Sequence, residues 1–329
     1  MNNPFRNVTK SRRASALLLA ILSLALATFI LTTDEVDTRT LQTNEGTFKI
    51  EEASNSTSAK PLMMTFYEKT GHACCGMSSK QHQVLLQAWE TSWQDRGWDT
   101  KILTKKDAEK NPEFQALQAK FTEIGYNSEY ERRCYWRWLA MAAIEDENGG
   151  GGWMSDYDTF PLNLSAEAAL EIAKDGTFKS FSRHVPCLIH ASREEWERVF
   201  HLMVDYVDQH GKRSDMQALL GVSWGPSNYK MIFTDNGVAY IHSRHKDGEL
   251  YIDCKKLKNK KFAHLSHKAT SDAWSWGLYP KIDDDVHNFS NALSRRGEAA
   301  MIAMKDYREQ CLDEKGEQKL RQRVGVVKV

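Results

Sequence analysis

An uncharged run of 18 residues near the amino terminus, residues 14–31, divides this 329-residue chain into two unequal parts. As a helix that rises 1.5 Å per residue it would span about 27 Å, close to the hydrocarbon thickness of a thin bilayer. Basic residues precede the run and acidic residues follow it, and positive charge stays on the cytosolic side of a membrane. The run predicts an uncleaved membrane anchor, which we favour, or a signal peptide cleaved near residues 25–27.

This topology predicts how the rest of the chain is arranged. We expect residues 1–13 to form a cytosolic tail, 14–32 a single transmembrane helix and 33–60 a polar, flexible stem. The larger part would lie in the lumen of the endoplasmic reticulum or Golgi, as a single-pass type II membrane protein. Lys+Arg and Asp+Glu both number 44, so the basic surplus that nucleic-acid binding requires is missing.

Cysteines and glycosylation sequons agree with entry into the secretory pathway. All six cysteines follow the predicted anchor, where disulfides can form, although the sequence leaves open whether they pair or stay as buried thiols. The cysteines are Cys74, Cys75, Cys134, Cys187, Cys254 and Cys311. Asn55, Asn163 and Asn288 each begin an N-x-S/T sequon and are glycosylation candidates.

Apolar periodicity predicts alternating strands and helices, and therefore an α/β fold in one large domain. Strands are predicted at 62–67, 99–103 and 153–155, and helices at 78–94, 127–147, 193–210 and 291–309. The turn signal at 235–237 predicts a hairpin that pairs the strands 231–233 and 238–241.

The most informative local signal is the segment 151–158, with the sequence GGWMSDYD. Alternate residues of a strand face the same side, so the carboxylates of Asp156 and Asp158 can converge on one point. Two such carboxylates repel each other unless a cation lies between them. Mg²⁺ and Mn²⁺ prefer oxygen ligands and often bind through one or two carboxylates plus substrate phosphates. The segment predicts a divalent-metal site, with a solvated turn as the alternative.

The residues around this segment carry a family resemblance. Residues 137–144, 151–158 and 161–162 together resemble the DXD region of family 32 glycosyltransferases, in which an arginine opens an apolar helix, two glycines follow and a strand ends in D-x-D. Two departures concern the donor sugar: Arg133-Cys134 replaces the family's Ser-Asp pair, and residues 145–150 are inserted before the glycines.

The resemblance implies a GT-A-like nucleotide-sugar-binding domain with a mixed central sheet over residues 61–310, followed by a tail at 311–329. It implies an enzyme that uses Mn²⁺ or Mg²⁺ and retains the anomeric configuration. Such an enzyme would move a sugar from a UDP- or GDP-linked donor to a glycan, glycoprotein or glycolipid acceptor.

The resemblance also implies roles for individual residues. Asp158 would be the direct metal ligand, and Asp156 would contact the metal or the donor ribose. Arg137 would face the donor sugar or diphosphate, with a surface arginine beside Glu145 or Glu147 as the alternative. Tyr67 would lie against the nucleotide base, with a plain core tyrosine as the alternative.

Two more positions complete the expected site. GT-A enzymes often add a metal-binding histidine near the end of the domain, and we favour His264 over His267 because it follows the apolar pair 262–263. Asp215 stands at a predicted helix start, where it could contact the acceptor hydroxyl or cap the helix; capping is the interpretation that we favour.

Two other classes of protein compete with this interpretation. Residues 156–159 imitate the nucleophile motif of haloacid dehalogenase-type phosphatases, and 283–285 imitate their later acidic motif. That motif should follow four or five apolar strand residues, whereas only Trp153 and Met154 precede it here. A non-catalytic, membrane-anchored sugar-binding or scaffold protein is the other alternative.

Overall fold

The computed structural model describes residues 60–69, 76–144, 150–225 and 230–312. The predicted cytosolic tail, the anchor, nearly all of the stem and nearly all of the tail at 311–329 lie outside the described residues. The candidate Asn55 and the cysteines Cys74 and Cys75 also lie outside them. Within the described ranges, no helix is both long and apolar enough to cross a membrane.

The described residues form strands and helices in alternation along the chain. In chain order they are β1 (Leu62–Phe66), α1 (Ser79–Gln94), β2 (Asp99–Leu103), α2 (Lys105–Ala108), α3 (Phe114–Ile124), α4 (Glu129–Ala142), β3 (Gly151–Ser155), β4 (Thr159–Pro161), α5 (Ala166–Ala173), β5 (Lys179–Ser180), β6 (Leu188–Ser192), α6 (Arg193–His210), α7 (Asp215–Trp224), β7 (Ile232–Phe233), β8 (Gly237–Val238), β9 (His242–Arg244), β10 (Leu250–Ile252), α8 (Cys254–Leu257), β11 (Phe262–His264), α9 (His267–Ser275), α10 (Phe289–Ser294) and α11 (Arg296–Cys311).

A six-stranded mixed sheet forms the centre of the fold, in the order β2-β1-β3-β6-β5-β7. Strand β1 pairs in parallel with β2 and β3, whereas β6 runs antiparallel to both β3 and β5, and β7 is parallel to β5. This arrangement confirms the predicted mixed α/β class with a mixed central sheet.

Two apolar cores cover the two faces of this sheet. Neighbouring residues of each strand enter opposite cores, because successive strand side chains point to opposite faces. The pairs are Met63 and Met64 on β1, Trp153 and Met154 on β3, and Leu188 and Ile189 on β6. Helices α3, α4, α6 and α7 pack on one face, and α1 and α11 pack on the other.

A small three-stranded sheet, β4-β11-β8, lies on the α1 side and builds part of the site described below. Strand β11 runs antiparallel to β4, with His264 opposite Thr159, and parallel to β8. Strands β9 and β10 form a separate antiparallel pair.

The predicted hairpin at 231–241 is wrong. Strand β7 pairs with β5 in the central sheet, and β8 pairs with β11 in the small sheet, so the two strands do not pair with each other. The connecting residue Asn236 donates its backbone N–H to the carbonyl of Phe181 at 3.0 Å and accepts from the backbone N–H of Lys261 at 2.8 Å. Long-range backbone partners therefore use the groups that a hairpin would have paired.

The last predicted helix, 291–309, is two helices in the structure. Helix α10 ends at Ser294, and α11 begins at Arg296 after a break at Arg295, whose φ and ψ are −99° and 16°. Helix α11 continues through Cys311. The second predicted helix is also shorter than expected, covering Glu129–Ala142.

Candidate functional site

The loop between β3 and β4 carries Asp156 and Asp158, and helix α1 holds this loop at both ends. Trp89 donates its indole N–H to Ser155 Oγ at 2.8 Å, and Trp93 donates to the carbonyl of Thr159 at 3.1 Å. Both tryptophans are fully buried, as their helical spacing predicts. The apolar face of α1 therefore fixes the backbone that presents the two carboxylates.

His264 reaches the same loop through strand pairing. The antiparallel register of β11 on β4 sets it opposite Thr159, and the next backbone N–H, of Leu265, donates to the carbonyl of Asp158 at 2.8 Å. His264 Nε2 lies 3.3 Å from Asp158 Oδ1 and 3.8 Å from Asp156 Oδ2. One potential ligand atom from each of the three residues lies within 4.8 Å of the others.

These three side chains fit a divalent cation. Asp158 Oδ1 is buried, and its near neighbour His264 Nε2, 3.3 Å away, does not meet hydrogen-bonding geometry. A buried carboxylate needs cationic or hydrogen-bonding partners to offset the free energy of burial, and a bound cation would supply a stronger one here. Two carboxylates and one imidazole are ligands that Mn²⁺ accepts. The metal role of Asp156, Asp158 and His264 stays a prediction that this geometry supports.

The two aspartates differ in their electrostatic surroundings. Burial opposes ionisation of Asp158, but His264, and then Arg296, outweigh it and lower the pKa of that carboxyl to about 2. Burial raises the pKa of Asp156, and although Arg137 works in the opposite direction, the nearby charge of Asp158 adds to the increase. A cation between the two carboxylates would favour the ionised form of both.

Arg137 of α4 lies between two carboxylates. Its Nη1 pairs with Asp156 Oδ1, and its Nε donates to Asp215 Oδ2 at 3.0 Å while Nη2 pairs with the same oxygen. Only 12% of its side chain is exposed, so Arg137 is a partly buried residue of the site rather than a surface arginine.

Asp215 begins α7 but does not cap it, so the capping role expected from the sequence is wrong. Ser214 is the N-cap and exchanges side-chain and backbone hydrogen bonds with Gln217. The carboxylate of Asp215 pairs with Arg137 instead, and it also accepts from Trp138 Nε1 at 3.3 Å and from the backbone N–H of Met216 at 2.8 Å. A catalytic role for Asp215 stays a prediction, and these contacts favour an anchoring one.

A cleft of about 400 Å³ opens beside the three potential ligands. Tyr67, directly after β1, lines it together with His82 and Tyr157. Their ring centroids are 5.7 to 5.9 Å apart, and the Tyr157 hydroxyl lies 3.2 Å from His82 Nδ1. These rings form an aromatic wall of the kind on which a planar base can stack.

The structure does not bring His267 into the cluster of potential ligands. His267 begins α9 and lines the cleft, but its ring packs edge-on against Phe289 with 5.2 Å between centroids. Asp283 pairs with Arg295 at 2.7 Å, and the cluster found among the described residues contains none of the acidic residues 283–285. The acidic motif expected of a phosphatase is therefore not assembled with Asp156 and Asp158.

Sequence reasoning missed Arg296, which lines the cleft at the start of α11. Its Nη2 lies 3.4 Å from Asp158 Oδ2, and the residue is only 4% exposed. The helical period could have indicated a buried arginine at this position, because Arg296 shares the buried face of α11 with Ala299, Ala300 and Ala303.

The two sequon asparagines within the described residues have different surroundings. Asn163 donates from Nδ2 to the carbonyls of Leu257 and Lys260, at 2.9 and 3.0 Å, and accepts from the Tyr307 hydroxyl at 3.0 Å. Asn288 is exposed and caps α10. Glycosylation requires a free side-chain amide, whereas the amide of Asn163 is already hydrogen-bonded within the fold.

A disulfide between Cys254 and Cys311 joins the start of α8 to the end of α11, 57 residues apart in sequence. The enclosed segment contains both His264 and Arg296. Cys134 and Cys187 lie outside this disulfide.

Comparison with protein families matches residues 55–244 to a domain of unknown function (DUF8765). The chain belongs to this family. The DUF8765 match includes Arg137, Asp156 and Asp158 and ends before His264 and Arg296, so the site combines residues from inside and outside the matched region. No curated protein and no solved structure matches the chain.

Proposed function

We propose that this protein is a divalent-metal-dependent glycosyltransferase of GT-A-like fold that uses a UDP- or GDP-linked sugar as donor. The observation that carries the proposal is the convergence of Asp156, Asp158 and His264 beside a cleft that also contains arginines and an aromatic wall. The acceptor would be a glycan, glycoprotein or glycolipid, and retention of the anomeric configuration rests on the family 32 resemblance alone.

The proposal assigns the following roles to residues of the chain. Asp156, Asp158 and His264 would hold Mn²⁺ or Mg²⁺, which when bound offsets the negative charge on a leaving diphosphate. Arg137 holds Asp156 in place through their ion pair. Tyr67 would present its ring to the nucleotide base.

The arrangement of the site supports a transferase over a phosphatase of the haloacid dehalogenase type. A phosphatase of the haloacid dehalogenase type would need a second acidic segment at the ion, and 283–285 do not join the cluster. A sugar-binding or scaffold protein without activity would keep the same cluster, and turnover in the donor screen below separates it from a transferase.

The membrane topology is part of the proposal. We infer that residues 14–32 anchor the chain in the endoplasmic reticulum or Golgi membrane with the cleft on the lumenal side. The Cys254–Cys311 disulfide supports this inference, because disulfides persist in oxidising compartments and are rare in the cytosol.

A donor screen on the full-length chain tests the activity. UDP- and GDP-sugars are supplied with and without Mn²⁺, and both the release of nucleoside diphosphate and sugar transfer to an acceptor panel are measured. We expect Mn²⁺-dependent turnover that Asp158→Asn reduces by about 100-fold, since a metal contributes several kcal/mol to such a step. Asp156→Asn should reduce it less.

Asp284→Asn is the matched control, because Asp284 is an exposed residue whose partner is Lys281. It should leave turnover unchanged, and equal melting temperatures would show that all variants fold. Sugar binding without Mn²⁺ dependence and without turnover would instead support the non-catalytic alternative.

A further inference from the structure

The three arginines that line the cleft differ in how their charges are matched. Arg137 pairs with two buried or partly buried aspartates. Arg133 pairs with Glu129 at 3.0 Å. Arg296 pairs, within the described part of the chain, with the single carboxylate Asp158, and at the longer distance of 3.4 Å. Arg296 therefore has one carboxylate partner where Arg137 has two.

Arg296 also has an N–H donor for which the described residues offer no acceptor. A guanidinium carries five N–H groups in a planar fork that matches the oxygens of a carboxylate or phosphate. The Nε of Arg296 is buried, and none of the described residues accepts a hydrogen bond from it. Because the whole residue is only 4% exposed, bulk water does not solvate this group freely. The side chain is suited to receive an anion from the cleft.

The position of Arg296 adds a second argument. Asp158 has His264 beside its Oδ1 and Arg296 beside its Oδ2. An anion that binds a cation held by Asp158 would therefore lie next to the Arg296 guanidinium. Phosphate groups bound to Mg²⁺ or Mn²⁺ are the usual ligands of such an arrangement.

We propose that Arg296, rather than Arg137, binds the phosphate groups of the cleft's ligand, and that Arg137 is a positioning residue for Asp156. The nucleotide identity of that ligand rests on the proposed function, whereas the anion-binding role requires only a phosphate compound bound through the cation. The ligand class is a diphosphate or pyrophosphate, whose adjacent charged groups can contact the cation and the guanidinium together.

Binding measurements on the full-length chain test this assignment. The probes are Mn²⁺ alone, then inorganic pyrophosphate, UDP and GDP at saturating Mn²⁺, measured by calorimetry. The variants are Arg296→Met, Arg296→Lys and Arg137→Met. Arg295→Met is the matched control, because the neighbouring Arg295 pairs with Asp283 and Glu298 at 2.7 and 3.1 Å instead of with Asp158.

Arg296→Met should weaken pyrophosphate, UDP and GDP by about 10- to 100-fold, the usual cost of a lost charge-assisted hydrogen bond. Its affinity for Mn²⁺ alone should stay within about 3-fold of wild type, because Asp156, Asp158 and His264 remain. Arg137→Met should show the opposite pattern, losing affinity for Mn²⁺ alone. Arg295→Met should match wild type throughout.

Two results would overturn the assignment. One is an unchanged pyrophosphate affinity in Arg296→Met; the other is an equal loss of Mn²⁺ affinity, which would make Arg296 a positioning residue for Asp158. If Arg296→Met does not fold, Arg296→Lys decides: it keeps the charge without the planar fork, and we expect pyrophosphate to bind about 5-fold more weakly.

The proposed function and this assignment fail in different ways. If the wild-type chain binds Mn²⁺-pyrophosphate through Arg296 but releases no nucleoside diphosphate from any sugar nucleotide, the transferase proposal fails and the anion site stands. If the wild-type chain binds no pyrophosphate in the presence of Mn²⁺, the anion site itself is wrong.

Discussion

Two histidines three positions apart occupy different environments, because one ends a strand and the other begins a helix. His264 on β11 faces Asp158, whereas His267 on α9 packs against Phe289. We expect His264→Gln to weaken Mn²⁺ binding by at least about 10-fold, a loss typical of disturbed metal sites. His267→Gln should change Mn²⁺ affinity less than about 2-fold, close to the error of the measurement. Calorimetry on the two variants side by side checks this, and equal losses would contradict the assigned ligand set.

His190, outside the site, predicts how stability depends on pH. It lies opposite Trp153 across the β3–β6 pair and is 5% exposed. Burial, and then the charge of Lys179, lower its pKa to about 4 from the ordinary 6.5. The unfolded chain therefore binds a proton on His190 between about pH 6.5 and pH 4 that the folded chain does not. This contribution to stability is fully present above pH 6.5 and is lost as pH falls to about 4.

Over that range His190 should lower the free energy of unfolding by up to about 3 kcal/mol. His190→Phe, which keeps an aromatic ring beside Trp153, should flatten the pH dependence between pH 4 and 6.5. His287→Gln, at an exposed position, should retain it. Urea unfolding at several pH values measures the slopes, and an unchanged slope in His190→Phe would contradict a neutral, buried imidazole.

Adjacent residues also show why the site could be predicted only in part. The D-x-D pair was predictable because its two carboxylates are close in sequence and follow a strand. Arg295 and Arg296 are the same residue type side by side, yet one pairs at the surface and the other reaches Asp158. The helical period predicts that the two face different sides, but it contains no information about Asp158 as the partner of Arg296, because the two residues are distant in sequence.

At the scale of elements, the start of β3 depends on glycine for a steric reason. Gly151 has φ of +80°, and a Cβ there would lie 2.5 Å from the backbone nitrogen of Arg193 and 2.6 Å from the carbonyl carbon of Ser192. Gly125, which ends α3, has a similar φ of +90°, but a Cβ at that position would meet no atom of the described residues within 4 Å. Substitutions at the two positions therefore distinguish the cost of a left-handed backbone from the additional cost of a steric conflict.

Gly125→Ala should cost about 1–2 kcal/mol, the penalty for a left-handed conformation. Gly151→Ala should cost clearly more, because the β3–β6 pair must also separate, and it should disturb the loop that carries Asp156. Chemical denaturation measures both. Equal losses of stability would mean that the close approach of β6 has no energetic consequence.

The elements themselves were predicted well where their signals are local. The predicted bounds of β2 and α6 coincide with the structure. For α6, apolar spacing and the cap at Ser192 define the helix locally. The hairpin prediction was wrong because a turn motif predicts only where the chain bends. Which strands pair with β7 and β8 depends on β5 and β11, and the turn sequence contains no information about them.

At the scale of the whole molecule, the Cys254–Cys311 disulfide stabilises the part of the fold that supplies His264 and Arg296. Closing a loop of 57 residues removes conformational entropy from the unfolded chain worth about 4 kcal/mol. Replacing both cysteines by serine should lower the free energy of unfolding by roughly that amount. Cys134→Ser, at a cysteine outside the disulfide, is the control.

Reduction of the wild-type chain with dithiothreitol should reproduce the effect of the double substitution. Mn²⁺ affinity measured in parallel would show whether His264 still lies beside Asp158 when the disulfide no longer constrains residues 254–311. If neither treatment lowers stability, the two cysteines do not pair in the folded protein.

The complete site draws on residues far apart along the chain, and this affects the order in which it can form. The loop with Asp156 and Asp158 leaves the ribosome well before β11 and α11, and until those arrive the two carboxylates have neither His264 nor Arg296 beside them. Domains whose contacts join distant residues pay the entropy of loop closure before those contacts form. The cluster of potential ligands would therefore be among the last features to assemble during synthesis. Uptake of a metal ion by the nascent chain would report that the carboxyl-terminal half had docked.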